Sequence, residues 1–210
     1  GIHPYPERFE MTHELHEARA LADGTPNVQV AGRITAIRRM GKLSFITIQD
    51  LQGKLQLCMK IDDVGEAKYQ QYVDFVDIGD FFGAKGDMFT TRVGEKTLQV
   101  KEYTFLGKCL RPLPEKFHGL QDIEIKYRQR YLDLITSEEA RARFLLRSKV
   151  VREMRNFFEE HNFIEVETAS LQPNASGALA KPFKTHHNAL GADFYLRIAP
   201  ETYLKRLIVG

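Results

Sequence analysis

Apolar positions recur along the chain with two periods, and the change of period divides it into stretches. Thr12 is placed to cap a first short helix through Ala18 and Leu21, and Gly24 to end it. From Val28 the period drops to two. Alternation predicts five strands, over residues 28–40, 43–49, 54–61, 81–92 and 96–106. Gly41 with Lys42, Gln52 with Gly53, and Val93-Gly94-Glu95 supply turns. Between the third and fourth strands, residues 66–76 carry Tyr69, Tyr72, Val73 and Val76 at helical spacing.

Three strands, a helix and two strands is the order of the five-stranded OB-fold, a small closed Greek-key barrel. A plain antiparallel sandwich fits the same order. Residues 109–135 break the alternation, and Arg111-Pro112-Leu113-Pro114 predicts a stiff extended connector. Beyond it, Thr136-Ser137-Glu138-Glu139 reads as a capping box. The helix that follows carries Phe144, Val150, Val151, Met154, Phe157 and Phe158 as an apolar stripe and ends near Asn162. Residues 163–168 and 194–199 alternate as strands, and residues 201–209 begin a further helix. The expected organisation is therefore a helix and barrel over 1–108, a connector over 109–135 and an incomplete second domain over 136–210. Its two strands need partners, so the sequence reads as a segment of a longer protein.

Composition narrows the class. The 210 residues are 43% hydrophobic and 28% charged, the mix of a globular chain. Thirty basic against twenty-eight acidic side chains leave a net charge of +2, so any nucleic-acid surface is local. Residues 101–155 hold thirteen basic and eight acidic side chains, a candidate for such a surface or for an ordinary solvated helix. No apolar run approaches the ~18 residues of a membrane helix. The first residues do not read as a secretory signal. Cys58 and Cys109 fit neither a disulfide framework nor a Cys-x-x-Cys metal pair, and are expected as reduced, mostly buried thiols in a cytosolic protein.

Three sets of residues are candidates for chemistry. Ile46 and Ile48 share one strand face and Leu55, Leu57 and Met59 another, which leaves Phe45 and Gln56 opposite them. If the aliphatic faces line the barrel interior, a ring and an amide lie together outside, as a single-stranded base reader requires. The alternative is a core Phe45 and a solvated Gln56. Glu95 stands at the turn that OB-folds use for oligonucleotides. A second set is the small-residue loop from Asn174 to Phe183, including Gly177, bounded by Pro173 and Pro182 and suited to closing over a pocket. It lacks P-loop spacing. His186 and His187 point to opposite sides of an extended segment and are assigned structural roles. The third is Glu201 after Ala199-Pro200, where helix capping and substrate binding explain the carboxylate equally well.

Over its whole length the sequence closely resembles class II lysyl-tRNA synthetases of the bacterial type. The resemblance is carried by Gly41-Lys42-Leu43-Ser44-Phe45, by residues 111–120 from Arg111-Pro112-Leu113-Pro114, and by Tyr127-Arg128-Gln129-Arg130-Tyr131-Leu132-Asp133-Leu134. Thr185-His186-His187-Asn188-Ala189-Leu190 and Tyr195-Leu196-Arg197-Ile198-Ala199-Pro200-Glu201 add to it. Relatives for aspartate and asparagine share the plan, but the Ala-Pro-Glu ending is that of the lysine enzyme.

The resemblance implies an OB-fold anticodon-binding domain followed by the first part of a class II antiparallel-sheet catalytic domain. It implies that Phe45 stacks on the central anticodon uridine, that Gln56 and Glu95 read that base, and that Arg38 holds nearby backbone. Gly177 and Glu201 would bind the α-ammonium of L-lysine through a carbonyl and a carboxylate. The helix with Phe144 and the following residues would be motif 1, forming a homodimer, with Ala169 standing where that motif normally has proline. The implied reaction is ATP-dependent formation of lysyl-adenylate and transfer to tRNA(Lys) in the cytoplasm, with Mg2+. Motifs 2 and 3 and the metal ligands do not occur in these 210 residues, so the segment alone is expected not to form adenylate, and no catalytic or metal residue is assigned within it. An OB module that binds tRNA without charging it is the rival expectation; an aspartate or asparagine ligase is a third.

Overall fold

The computed structural model describes residues 3, 5, 6, 8–114, 122–175 and 179–210. The chain divides into two compact units, Gly1–Glu138 and Glu139–Gly210.

In the first unit a short helix α1 (Leu15–Ala20) precedes β1 (Val28–Met40), β2 (Leu43–Gln49) and β3 (Lys54–Lys60). Two helices, α2 (Ile61–Val64) and α3 (Glu66–Phe75), lead to β4 (Phe81–Thr90) and β5 (Lys96–Gly107). The strands close into a barrel in the order β1-β2-β3-β5-β4. All neighbours are antiparallel except β3 and β5. Closure pairs every edge, which a two-sheet sandwich does not do. The expected strands are thus present within two residues of their predicted ends, and the OB-fold is the architecture observed.

The barrel fills itself with the alternating side chains. Val28, Val30, Ile34, Ile46, Ile48, Leu55, Leu57, Met59, Phe82, Ala84, Met88, Leu98 and Val100 are all buried. Leu15 and Ala18 of α1 and Tyr69 and Tyr72 of α3 join that cluster, so the helices cover the barrel with their apolar faces. Tyr72 meets Phe82 edge-on at 6.4 Å between centroids, and Phe82 stacks on Tyr103 at 5.2 Å.

Thr12 does not cap α1. Glu14 holds the N-cap position and its backbone N–H donates to Glu17 at 2.9 Å. The Thr12 hydroxyl instead exchanges hydrogen bonds with the backbone of Gln29, which fastens the segment before α1 onto β1. Beyond β5, the carboxylate of buried Asp80 accepts from the backbone N–H groups of Asp77 and Cys109 and from Lys108 Nζ. Cys58 is buried as expected, whereas Cys109 is only half-buried, and both are free thiols.

The stretch expected as a connector carries two helices, α4 (Ile123–Arg128), capped by the Asp122 carboxylate, and α5 (Arg130–Thr136). Thr136 therefore ends a helix rather than capping the next, and its hydroxyl donates back to the Leu132 carbonyl at 2.9 Å. Four arginines of the stretch expected to be basic are held in local ion pairs. Arg128 pairs with Glu124, Arg130 with Asp133, Arg143 with Glu139 and Arg155 with Glu165.

Helix α6 (Glu138–Glu160) is followed by Asn162 at φ 62, the left-handed terminator expected there. Residues 163–169 form no strand, because no ladder partner lies beside them among the described residues. The second unit has a small antiparallel sheet in the order β6-β8-β7, made of β6 (Leu171–Gln172), β7 (Lys184–His187) and β8 (Ala192–Leu196). The strand predicted over 194–199 begins two residues earlier and stops at Leu196. Helix α7 (Glu201–Val209) has the expected limits. Among the described residues, no helix is long and apolar enough to cross a membrane.

Candidate nucleic-acid interface

Ladder register, rather than chain proximity, assembles the outer face of the barrel. Arg38 on β1 stands opposite Phe45 on β2, and Phe45 stands opposite Cys58 on β3. In the neighbouring row Ala36, Thr47, Gln56 and Thr97 follow one another across β1, β2, β3 and β5. Phe45 and Gln56 are half-buried while Ser44, Ile46, Leu55 and Leu57 are fully buried. The structure therefore places the ring and the amide on the exterior, and the core reading of Phe45 falls.

Arg38 binds the two together. Its guanidinium reaches across β2, donating to Gln56 Oε1 at 3.1 Å, and its central carbon lies 5.8 Å from the Phe45 ring centroid. That separation is at the outer edge of a cation–π contact. Gln56 Nε2 in turn donates to the Thr97 hydroxyl at 3.0 Å, and the hydroxyl donates to the Glu95 carbonyl at 3.1 Å. The chain of bonds links three strands and the β4–β5 turn.

Glu95 is held by the turn itself. Its carbonyl accepts from the Thr91 N–H and its own N–H donates to the Thr91 hydroxyl, both at 3.0 Å. Gly94 supplies the left-handed residue the turn requires, at φ 83. The carboxylate of Glu95 lies 3.6 Å from Arg19 of α1. An open cleft of about 380 Å³ results, lined by Arg19, Arg38, Lys54, Gln56, Val93 and Glu95, among others. Arg19 pairs there with Glu95, and Lys54 with Glu138. Arg38 is then the cation of the cleft without a carboxylate partner among the described residues, placed to meet an anionic backbone whose bases can reach the amide and the ring.

Of the residues predicted for this surface, Arg38, Gln56 and Glu95 line one cleft, and Phe45 adjoins it through Arg38. Arg19, Lys54 and Thr97 were not predicted. Arg19 belongs to a helix whose docking on the barrel has no period-two signature, and Thr97 is one more alternating β-branched residue on a strand. Neither position carries a local signal.

In the second unit Glu201 occupies the first turn of α7, exposed, 2.6 Å from Lys205 Nζ. That bond holds its carboxyl below the usual range, so it is charged at neutral pH. Gly177 lies outside the described residues. His186 faces Asp193 across the β7–β8 ladder, with Nδ1 3.0 Å from its carboxylate, and His187 packs on Phe194 at 5.4 Å. Asp193 also binds Lys184 at 2.6 Å, and the pair of contacts is that of a cross-strand ion pair. Among the described residues no group of three His, Cys, Asp or Glu could hold a metal ion.

Residues 28–106 match the family described as OB-fold nucleic acid binding domain, and residues 122–210 match tRNA synthetases class II (D, K and N). Along nearly the whole chain the sequence is similar to a lysine–tRNA ligase of Aquifex aeolicus (strain VF5), 54% identical over 204 residues, covering 96% of this chain and 34% of the relative. A lysine–tRNA ligase of Syntrophomonas wolfei is 48% identical over 213 residues, covering 100% and 43%. One of Haemophilus influenzae (strain PittEE) is 51% identical over 215 residues, covering 98% and 43%.

The chain belongs to the class II lysine–tRNA ligases.

It spans less than half the length of these relatives. Both parts of the lysine–tRNA ligase plan are represented: the OB barrel falls inside the first match, and α6, the small sheet and α7 fall inside the second. Apart from Arg19 of α1, the residues that line the cleft fall inside the nucleic-acid binding match.

Proposed function

We propose that the protein acts as a lysine–tRNA ligase, activating L-lysine with ATP to lysyl-adenylate and transferring it to tRNA(Lys) in the cytoplasm. The observation that carries this reading is the hydrogen bond from Arg38 to Gln56 beside the Phe45 ring, at the mouth of a cationic cleft. In this reading Phe45 stacks on the central anticodon base, Gln56 and Glu95 read its edge, and Arg38 and the neighbouring cations hold the sugar–phosphate backbone.

The second unit takes the amino acid. Glu201, charged at neutral pH, is the counter-ion for the α-ammonium of lysine, and the Gly177 carbonyl accepts from the same group. Lysine binding exchanges the Lys205 contact of Glu201 for the substrate cation. The apolar stripe of α6 supports a homodimer: Phe144, Val150, Met154, Phe157 and Phe158 stand exposed, which a soluble helix face of that size does not normally do unless it is covered by a partner.

ATP with Mg2+ supplies the activating phosphoanhydride in this family. The described residues include no metal-holding cluster, so no step is assigned to them there.

Two measurements test the reading. The chain should bind an anticodon stem-loop of the lysine type better than one with a different central base. A polypeptide extended to the length of the relatives should catalyse ATP–pyrophosphate exchange that depends on lysine. Exchange driven by aspartate or asparagine would reassign the substrate, and stem-loop binding without exchange in the extended chain would leave a tRNA-binding module.

A further inference from the structure

Side-chain amides recognise bases ambiguously, because a half-turn about the last bond swaps donor and acceptor. On this barrel the two neighbours of Gln56 remove that freedom. Arg38 has only N–H donors, so the atom facing it at 3.1 Å is the oxygen Oε1. On the other side stands Thr97, whose side chain is fully buried. Its one hydroxyl proton goes to the Glu95 carbonyl at 3.1 Å, two residues back along the chain. Towards Gln56 the hydroxyl can then only accept, and Nε2 meets it at 3.0 Å. A flipped amide would set a donor against a guanidinium and an oxygen against a hydroxyl with no proton left.

We propose that Thr97 is a positioning residue that locks the Gln56 amide in one orientation and thereby sets which pyrimidine the cleft accepts. The proposal rests on the reading above, in which the cleft holds a single anticodon base stacked on Phe45. With both inner contacts made, Gln56 offers the base one lone pair on Oε1 and one proton on Nε2, in fixed order. Uracil presents a ring N–H beside a carbonyl oxygen; cytosine presents a ring nitrogen acceptor beside an amine. The two edges carry opposite patterns. A base held in one pose by the Phe45 ring matches the locked amide if it is uracil and opposes it if it is cytosine. An amide free to turn matches both.

The register explains why Thr97 can act in this way. β3 and β5 run parallel and place Thr97 directly beside Gln56, while the Thr91–Glu95 turn delivers the carbonyl that takes up the hydroxyl proton. Valine has nearly the shape of threonine without the hydroxyl, so it removes the Thr97 half of the lock, leaves the Arg38 bond in place and keeps the packing. Serine keeps the hydroxyl.

The test compares anticodon stem-loops bearing uridine or cytidine at the central position, bound to wild type, Thr97→Val, Thr97→Ser and Gln56→Ala. Thr97→Val should lower the uridine-to-cytidine affinity ratio roughly threefold to tenfold, the worth of one hydrogen bond, chiefly by admitting cytidine. Thr97→Ser should restore the ratio. An unchanged ratio in folded Thr97→Val, with the ratio lost in Gln56→Ala, overturns the lock and leaves anticodon reading intact. Equal affinities of wild type and Gln56→Ala for both stem-loops overturn the anticodon reading as well. If Thr97→Val does not fold, nuclear magnetic resonance of the wild-type chain decides: Overhauser contacts of the Gln56 amide protons to the Thr97 methyl, without contacts to the Arg38 guanidinium, support the lock. Contacts of equal strength to both neighbours overturn it.

Discussion

Arg38 and Phe45 face each other across the β1–β2 ladder, with the guanidinium carbon 5.8 Å from the ring centroid and the guanidinium itself bonded to Gln56. One arginine thus touches both the stacking group and the edge-reading group of the proposed base site. It orients the amide beside the half-buried ring.

Replacing Phe45 by alanine should weaken binding to a lysine-type anticodon stem-loop by about 1–3 kcal/mol, the usual worth of one stacked base. Because Phe45 is half-buried outside the core, the unfolding midpoint should fall far less than for a core deletion such as Leu57→Ala, which should cost about 2–5 kcal/mol. Fluorescence titration and urea unfolding measure the two effects. Unchanged stem-loop affinity in folded protein would remove Phe45 from the site.

Glu201→Gln, made in a polypeptide extended to the length of the relatives, should raise the KM for lysine at least roughly tenfold, with little change in the KM for ATP. The basis is the loss of a charged hydrogen-bond partner, worth about 1.5–3 kcal/mol. Equal effects on both substrates, measured by pyrophosphate exchange, would indicate that the carboxylate serves only the first turn of α7.

Lys108→Met should destabilise the barrel by about 1–3 kcal/mol, because buried Asp80 loses the cation that accompanies its two backbone N–H bonds. Burial pushes Lys108 down, but its bonds to Asp77 and Asp80 outweigh this and hold it above the usual lysine value. The folded state therefore binds this proton more tightly than the unfolded one. The contribution is complete below about pH 10.4 and fades as pH rises through the higher folded value. Urea unfolding from neutral to strongly alkaline pH should show the gap between wild type and variant closing only at the alkaline end.

Gly86→Ala should be among the most damaging single changes in the barrel. A Cβ at Gly86 would sit 1.8 Å from the Gln99 carbonyl oxygen, at the irregularity in the β4–β5 ladder. Backbone cannot yield as a flexible side chain does, so the loss should reach or exceed the ~3 kcal/mol upper end of ordinary overpacking. A circular-dichroism melt checks it, with Gly94→Asn as a mild contrast, since asparagine tolerates the left-handed turn position.

Period-two alternation with turn residues at its ends was enough to locate all five barrel strands, since each strand buries one face and each turn needs its own chemistry. It also set Phe45 opposite Ile46 and Ile48, which is why the ring could be nominated as an exterior group. The capping signals were less secure. Thr12 and Thr136 both have the right residue type, but each hydroxyl found a nearer backbone partner, in Gln29 and Leu132. Local hydrogen-bonding capacity is a property of the residue; the partner it takes is a property of the surroundings. Residues 163–168 alternate as well as any strand, yet a strand exists only where another chain segment supplies the ladder.

The amino-acid sequence alone determined the five strands, the family and the identity of the ring, the amide and the carboxylates, whereas closure into a barrel rather than a sandwich is a finding of the structure. The resemblance placed Arg38 among the site residues, but only the tertiary structure turns its side chain outward to meet the amide and the ring. Strict alternation from Val28, Val30 and Ile34 carries Arg38 to the inner face, but a bulge between Ile34 and Ala36 shifts the register so that Ile37 turns towards the core and Arg38 outward. The bulge, the parallel β3–β5 pairing beside Thr97 and the docking of Arg19 are all settled by contacts between segments distant in sequence. Local pattern fixes which face a residue shares with its neighbours, whereas closing the barrel fixes which residues meet on that face.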